Sequence, residues 1–433
     1  MRTKPLLFLV LFFAAGFVQA MPEIEHWATK NGARVYYVHA PQLPMVDVQV
    51  VFDGGSARDE GKPGRAVLTN ALLAEGAGGL DADAIARRFE DVGASFGNDA
   101  LRDMAYVALR TLTEPALMKQ AVDTAALVLN KPDFPQTAID RERSRILVSL
   151  RRQEQSPETI AEKAFFRALY DTHPYAHPPL GTEVSMQALA RDDLRTHYRR
   201  YYVARNAVVA IVGDVDRATA RRLADTLVGR LPAGEPAPAL PAVPARTTRE
   251  EVNIPFPSAQ THILVGQPGM RRDDPDYFAL YVGNHVLGGG SFTSRITKAI
   301  REERGFAYSA YSYFSPMAVE GPFQVGMQTA TRNRDEALQV LRETVTEFVA
   351  KGPTAAELEA SKKNITGGFP LRIDSNRDIV QYLAVIGFYG LPLDYLEKFN
   401  ARVDAVTVAQ IRDAFQRRIR PDAMAVVSVG ASQ

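Results

Sequence analysis

Tyr201-Tyr202-Val203-Ala204-Arg205-Asn206-Ala207-Val208-Val209-Ala210-Ile211-Val212-Gly213-Asp214 closes the first half of this chain, and Arg420-Pro421-Asp422-Ala423-Met424-Ala425-Val426-Val427-Ser428-Val429-Gly430 closes the second. Both run in the same order: an arginine, a short polar stretch, a continuous apolar run and a glycine. An apolar run of this length bounded by turn residues reads as a buried strand. Its recurrence at the end of each half is the clearest sign that the chain is an internal duplication.

The rest of each half supports that reading. Leu231 to Val243 and the following residues carry five prolines with little pattern, which predicts an extended, exposed linker over 231–249. It separates residues 21–230 from residues 250–433. In the first part, an alternating strand (Met45 to Phe52) leads through a Gly-rich turn into a small-residue helix around 64–75. A helix from Asp81 to Val92, a strand pair near 94–111 and a helix over 114–129 follow. In the second part, a strand near Thr261–Gly266 precedes a helix from Asp276 to Leu287, the turn Gly288-Gly289-Gly290 and a helix over 292–303. Strands near 306–315 and 322–330 and a helix over 334–351 complete it. The expected fold class is α+β, with two homologous halves of mainly antiparallel sheet backed by helices. On pattern alone, two unrelated α+β domains remain the alternative.

Composition narrows the function. The chain has 433 residues, 46% hydrophobic and 23% charged, with a net charge of +1. No basic field is present to hold nucleic acid. Residues 1–20 read as a cleavable export signal: Arg2 and Lys4, the apolar run Leu6 to Val18, then Val18-Gln19-Ala20. The run is shorter than a membrane span, so a periplasmic protein with no membrane attachment after cleavage is expected; an uncleaved anchor is the alternative. With no cysteine, there is no disulfide, no thiolate nucleophile and no thiolate metal ligand.

Several stretches together resemble the pitrilysin/insulinase family of metallopeptidases. They include Asp53-Gly54-Gly55-Ser56-Ala57, Gly61-Lys62-Pro63-Gly64, His173-Pro174-Tyr175 with Leu180-Gly181-Thr182, and Tyr201 through Asp214. In the second half they are Leu287 to Arg295 and Arg301-Glu302-Glu303-Arg304-Gly305-Phe306-Ala307-Tyr308-Ser309. The resemblance implies two α/β-roll halves closing as a clam shell around a peptide-binding cleft. In active members, an inverted His-x-x-Glu-His motif and a distant glutamate hold zinc. Residues at i, i+3 and i+4 share one helix face, so two ligands and a general base can converge on one metal.

Alignment on Gly64 and Gly76 places Val67 and Ala71 at the histidine positions and Asn70 at the glutamate. Ser149, or Val148 with a one-residue shift, stands for the distal glutamate. Val67 and Ala71 have no donor atom, and an amide has no useful basicity near neutrality. A catalytic zinc is therefore not expected on this chain. Of the seven histidines, His173 and His177 alone have a ligand-like i, i+4 spacing, but Pro174 and Pro178 predict a loop there. His197, in a helix over 192–201, and His285, beside the Gly-rich turn, read as packing or surface residues.

Arg301 and Tyr308 carry the positive signal. The resemblance implies that an Arg and a Tyr at this spacing face the substrate, where a guanidinium and a phenol can donate to a peptide carbonyl and stabilise an oxyanion. On sequence alone, Arg301 paired with Glu302 or Glu303 and Tyr308 packed in a sheet is the competing reading. The combination implies the non-catalytic subunit of a heterodimeric zinc peptidase. Its homologous partner would carry His-x-x-Glu-His and the zinc, and the pair would act on peptides. The alternative is a stand-alone peptide-binding or assembly protein with no proteolytic role.

Overall fold

The computed structural model describes residues 23–431, so the segment read as an export signal lies outside the described residues. Two sheets dominate. The first is built from β1 (Glu25–Ala28), β2 (Arg34–His39), β3 (Met45–Phe52), β4 (Ser95–Ala100), β5 (Ala105–Leu112) and β6 (Ala207–Gly213), in the order β1-β2-β6-β3-β5-β4. The second is built from β7 (Glu250–Pro255), β8 (Gln260–Met270), β9 (Ala307–Phe314), β10 (Gly321–Ala330) and β11 (Ala425–Gly430), in the order β9-β10-β8-β11-β7.

Apart from β1, which adds an outer strand to the first sheet, the two orders superpose strand for strand. β2 pairs parallel with β6, and β7 pairs parallel with β11. Every other neighbouring pair in both sheets is antiparallel. The apolar runs that end the two halves are thus equivalent interior strands, β6 and β11, each buried along its whole length. A strand covered on both faces has no solvent side, so it reads as a continuous apolar run rather than an alternating one. β5, with one face toward the core, alternates residue by residue.

Helices of the first half are α1 (Arg65–Ala71), α2 (Ala82–Glu90), α3 (Pro115–Asn130), α4 (Gln136–Gln153), α5 (Pro157–Tyr170), α6 (Glu183–Ala188), α7 (Arg191–Tyr201) and α8 (Arg217–Val228). Those of the second are α9 (Tyr277–Asn284), α10 (Arg334–Lys351), α11 (Ala355–Gly368), α12 (Asn376–Tyr389), α13 (Tyr395–Asp404) and α14 (Val408–Arg418). Most cover the outer face of their own sheet, but α5 and α12 are exchanged. α5 packs on β8 and β11 of the second sheet, and α12 packs on β3 and β6 of the first. Glycine permits both approaches. A side chain on Gly266 of β8 would meet the Phe165 ring of α5 at 2.7 Å, and one on Gly387 of α12 would meet Val208 at 2.5 Å.

The exchange is latched at the β4–β5 turn. The buried carboxylate of Asp103 accepts from the Tyr175 hydroxyl and, across the two halves, from the Tyr389 hydroxyl (2.9 Å) and the Ala318 N–H (2.8 Å).

Two local expectations are modified. The proline-rich segment has no regular structure and is largely exposed, yet it is tied down rather than free. Ala204 and Arg205 donate to the carbonyls of Pro232 and Ala233, Ala237 donates to Asn206, and His173 bonds the Pro241 carbonyl. The helix expected over 292–303 is instead a 3-10 turn (Ser291–Thr293), one α turn (Arg295–Thr297) and a π turn (Lys298–Glu302). Just upstream, Gly288 lies so close to Ser312 of β9 that a Cβ would meet its N–H at 2.4 Å.

Candidate functional site

The helix that would carry a zinc motif begins at Gly64, whose left-handed φ of 92° suits glycine. A side chain there would meet the Leu180 carbonyl at 2.8 Å. Buried Asp59 receives the Gly64 and Ala66 N–H groups, both at 2.8 Å, and so satisfies donors of the first turn of α1. Burial pushes its carboxyl pKa up, while a hydrogen bond with His177 (3.2 Å) works against that rise.

On α1, Val67 and Ala71 lie half-buried, and Ser149 lies half-buried on α4, which packs against α1. Asn70 is fully buried and completely engaged. Its amide nitrogen donates to the Tyr106 carbonyl (3.2 Å) and to the Tyr202 hydroxyl (3.1 Å). Asn98 of β4 donates in turn to the Asn70 main-chain oxygen (2.6 Å) and side-chain oxygen (2.9 Å). This network ties α1 to β4, β5 and the end of α7. It is a structural staple: the side-chain oxygen already accepts from Asn98, and an amide is not a base.

These residues do not fit a zinc ion. Two of the four positions are hydrocarbon, one is an amide whose nitrogen and oxygen are both already hydrogen-bonded, and one is a hydroxyl. Among the described residues, no group of three or more His, Cys, Asp or Glu could hold a metal. His173 and His177 flank the 3-10 turn Pro174–Ala176, and both rings are committed: His173 to the Tyr175 N–H and Pro241 carbonyl, His177 to the Ser56 carbonyl and Asp59. His285 bonds Ser361 and Asn364. His197 bonds only the Gly54 carbonyl, and burial drives its pKa down to about 3.

The second half presents a different arrangement. Arg301 sits in the π turn, with the Gly305 turn (φ 63°) and then a register shift in β9 between Ala307 and Ala310. A bulge redirects the side chains beside it, and Tyr308 stands out into solvent with 84% of its surface exposed. The Arg301 guanidinium lies 4.7 Å from the Tyr308 ring centroid and 4.8 Å from that of Phe292, which is itself 61% exposed. Arg301 is therefore held by two aromatic faces. It forms no ion pair among the described residues, and Glu303 is taken by Arg304. Neither part of the competing reading holds: Arg301 has no acidic partner, and Tyr308 is not packed into the sheet. Phe292 went unrecognised as a partner of Arg301; a large apolar residue next to three glycines was the available signal.

Comparison with known proteins gives a consistent picture. Residues 34–183 match the family model described as insulinase (peptidase family M16), and residues 188–365 match the one described as peptidase M16 inactive domain. A crystal structure of a peptidase M16 inactive domain from Pseudomonas fluorescens superposes with a TM-score of 0.92 at 38% identity. That match covers 95% of this chain and 98% of the other. A Helicobacter pylori protein named non-peptidase homolog YmxG is 27% identical over 88% of this chain and 87% of its own length. A Bacillus subtilis protein named uncharacterized zinc protease YmxG is 24% identical over 81% and 85%.

Proposed function

Because the chain belongs to the M16 (insulinase) peptidase family and has no usable zinc ligands at the motif positions, we propose that it is the non-catalytic subunit of a heterodimeric, periplasmic zinc peptidase. A homologous partner with an intact His-x-x-Glu-His motif supplies the metal chemistry. This chain supplies Arg301 and Tyr308, which donate hydrogen bonds to a peptide carbonyl at the shared site. The observation that carries the reading is the exposed stack of Phe292, Arg301 and Tyr308. A cation without an acidic partner, pinned between two solvent-facing rings, has its hydrogen-bond donors free for a ligand. Export rests on the N-terminal segment, Arg2 to Ala20.

The test is reconstitution. The purified chain alone should not hydrolyse peptides, and capture from its native host should yield a homologue with His-x-x-Glu-His. Mixing the two should produce zinc-dependent hydrolysis that neither gives alone. One equivalent of zinc in this chain by itself, lost together with an activity, would overturn the reading. The second reading, a peptide-binding or assembly protein with no proteolytic role, is favoured by the name of the Helicobacter pylori relative, a non-peptidase homolog. Capture with no peptidase among the partners would support it.

A further inference from the structure

Arg272 is a cation without an anion. It follows β8, where its N–H bonds the Met317 carbonyl at 2.9 Å, and its guanidinium lies 5.4 Å from the Tyr277 ring centroid. The groups that act on it most strongly are phenols, Tyr277, Tyr395, Tyr389 and Tyr382; Asp53 and Asp273 line a second, smaller cavity beside it, but it forms no ion pair among the described residues. Its Nε is buried with no hydrogen-bond partner. The phenols favour the charged form despite burial, yet none accepts a hydrogen bond from Nε, and the Tyr389 hydroxyl is committed to Asp103. A buried guanidinium nitrogen without an acceptor is costly, and the half-buried side chain that carries it can take a partner.

The same side chain lines a cleft of about 760 Å³ between the free part of the first sheet and the exchanged helix α12. Gln49 and Tyr106 form part of one wall, and Arg377, Gln381 and Tyr389 part of the other. The charged residues lining it are Asp47, Asp99, Arg110, Arg272 and Arg377. Asp47 and Arg110 neutralise each other through two hydrogen bonds, at 2.8 and 3.1 Å. Asp99 accepts from the Ala100 N–H at 2.7 Å. Arg377 is exposed on the first turn of α12 and forms no ion pair among the described residues. Two unpaired cations therefore stand against one aspartate.

We propose that Arg272, assisted by Arg377, is a carboxylate-binding subsite that selects acidic peptides, through an acidic side chain or a C-terminal carboxylate seated in this cleft. The proposal rests on the reading that the protein handles peptides. Guanidinium donors match a carboxylate in geometry and charge, and the surrounding phenols exclude water from the pair.

Equilibrium binding to the full chain tests it with three nine-residue peptides of one sequence: a Glu-containing C-terminal amide, its Gln counterpart as an amide, and the Gln peptide with a free C-terminus. A charge-assisted contact predicts roughly tenfold tighter binding for one or both carboxylate peptides than for the neutral amide. Which one gains identifies the source of the carboxylate. Arg272→Met should abolish the preference. If that variant fails to fold, Arg272→Lys and the surface substitution Arg377→Gln decide, each reducing the preference several-fold. Equal binding of all three peptides, no binding of any, or a preference unaltered in these variants overturns the subsite. Discrimination through Arg272 without hydrolysis by any reconstituted complex would leave the subsite standing and remove the peptidase reading instead.

Discussion

Asn98 donates from its side-chain amide to both the main-chain and the side-chain oxygen of Asn70, at 2.6 and 2.9 Å. The residue aligned with the motif's glutamate is thereby a joint between α1 and the edge strand β4. Asn70 must also donate to the Tyr106 carbonyl and the Tyr202 hydroxyl. Asn70→Asp replaces that donor with a carboxylate aimed at a buried carbonyl. The expected cost is about 2–4 kcal/mol near neutral pH. It should shrink as the pH falls and the carboxyl regains a proton to donate. Urea unfolding of the variant at two pH values measures this; a variant as stable as the parent would show that the staple carries no load.

Gly387 tests the exchange of helices. A Cβ at this position would meet Val208 at 2.5 Å and Tyr36 at 2.6 Å. Gly387→Val should lift α12 off the first sheet at a cost of about 1–3 kcal/mol, the range for overpacking a core. Because α5 and α12 cross between the sheets, both halves should unfold together. Trp27, the one tryptophan, reports on the first half through β1, while far-ultraviolet circular dichroism reports on both. Their urea transitions should coincide in the parent and shift together in the variant. Separate transitions in the parent would mean that the halves are independent.

The duplicated sheets were legible because β6 is apolar throughout, β11 is apolar but for Ser428, and each ends in glycine, a signal that needs no tertiary context. The exchange of α5 and α12 was not legible. Each is a helix of 14 residues with an apolar face, and nothing local states which sheet that face covers. At the positions aligned with the zinc motif, Val67 and Ala71 have no donor whatever their surroundings, and that much is read from residue type alone. The staple on Asn70 depends on Asn98 and Tyr202, 28 and 132 residues away in sequence, so it emerges only once the chain is folded. The same holds for Arg272, whose four phenol neighbours come from two separated helical regions and α12.

His197 supplies a pH dependence of known sign. Burial holds its pKa down to about 3 from an ordinary value of 6.5, and its hydrogen bond to the Gly54 carbonyl opposes that only in part. The neutral ring is favoured in the folded state, so the stability it contributes is present above pH 6.5. It is lost as the pH falls toward 3, by roughly 1.4 kcal/mol per pH unit over that window. His197→Gln keeps a donor for Gly54 and removes the titration. Its melting temperature should fall less than that of the parent between pH 7 and pH 4. Parallel curves would show that other groups govern the acid sensitivity.

Phe292 and Tyr308 set how firmly Arg301 is aimed. In a reconstituted complex, Arg301→Ala removes a donor outright, and loss of one oxyanion donor costs about a hundredfold in turnover in comparable sites. Tyr308→Phe removes the hydroxyl but keeps the ring over Arg301, so it separates hydrogen bonding from stacking. Phe292→Ala keeps every donor and releases one face of the guanidinium. An exposed cation–π contact is worth about 0.5–1 kcal/mol, so the variant should lower kcat a few-fold and leave KM nearly unchanged, as expected of a residue that aims a transition-state donor. Phe292→Trp should restore the parental kcat, because an aromatic face is all the contact requires. In Arg301→Ala, the further change Phe292→Ala should have no effect, since Phe292 acts only through Arg301. An additive loss in the double variant would show that Phe292 touches the peptide directly.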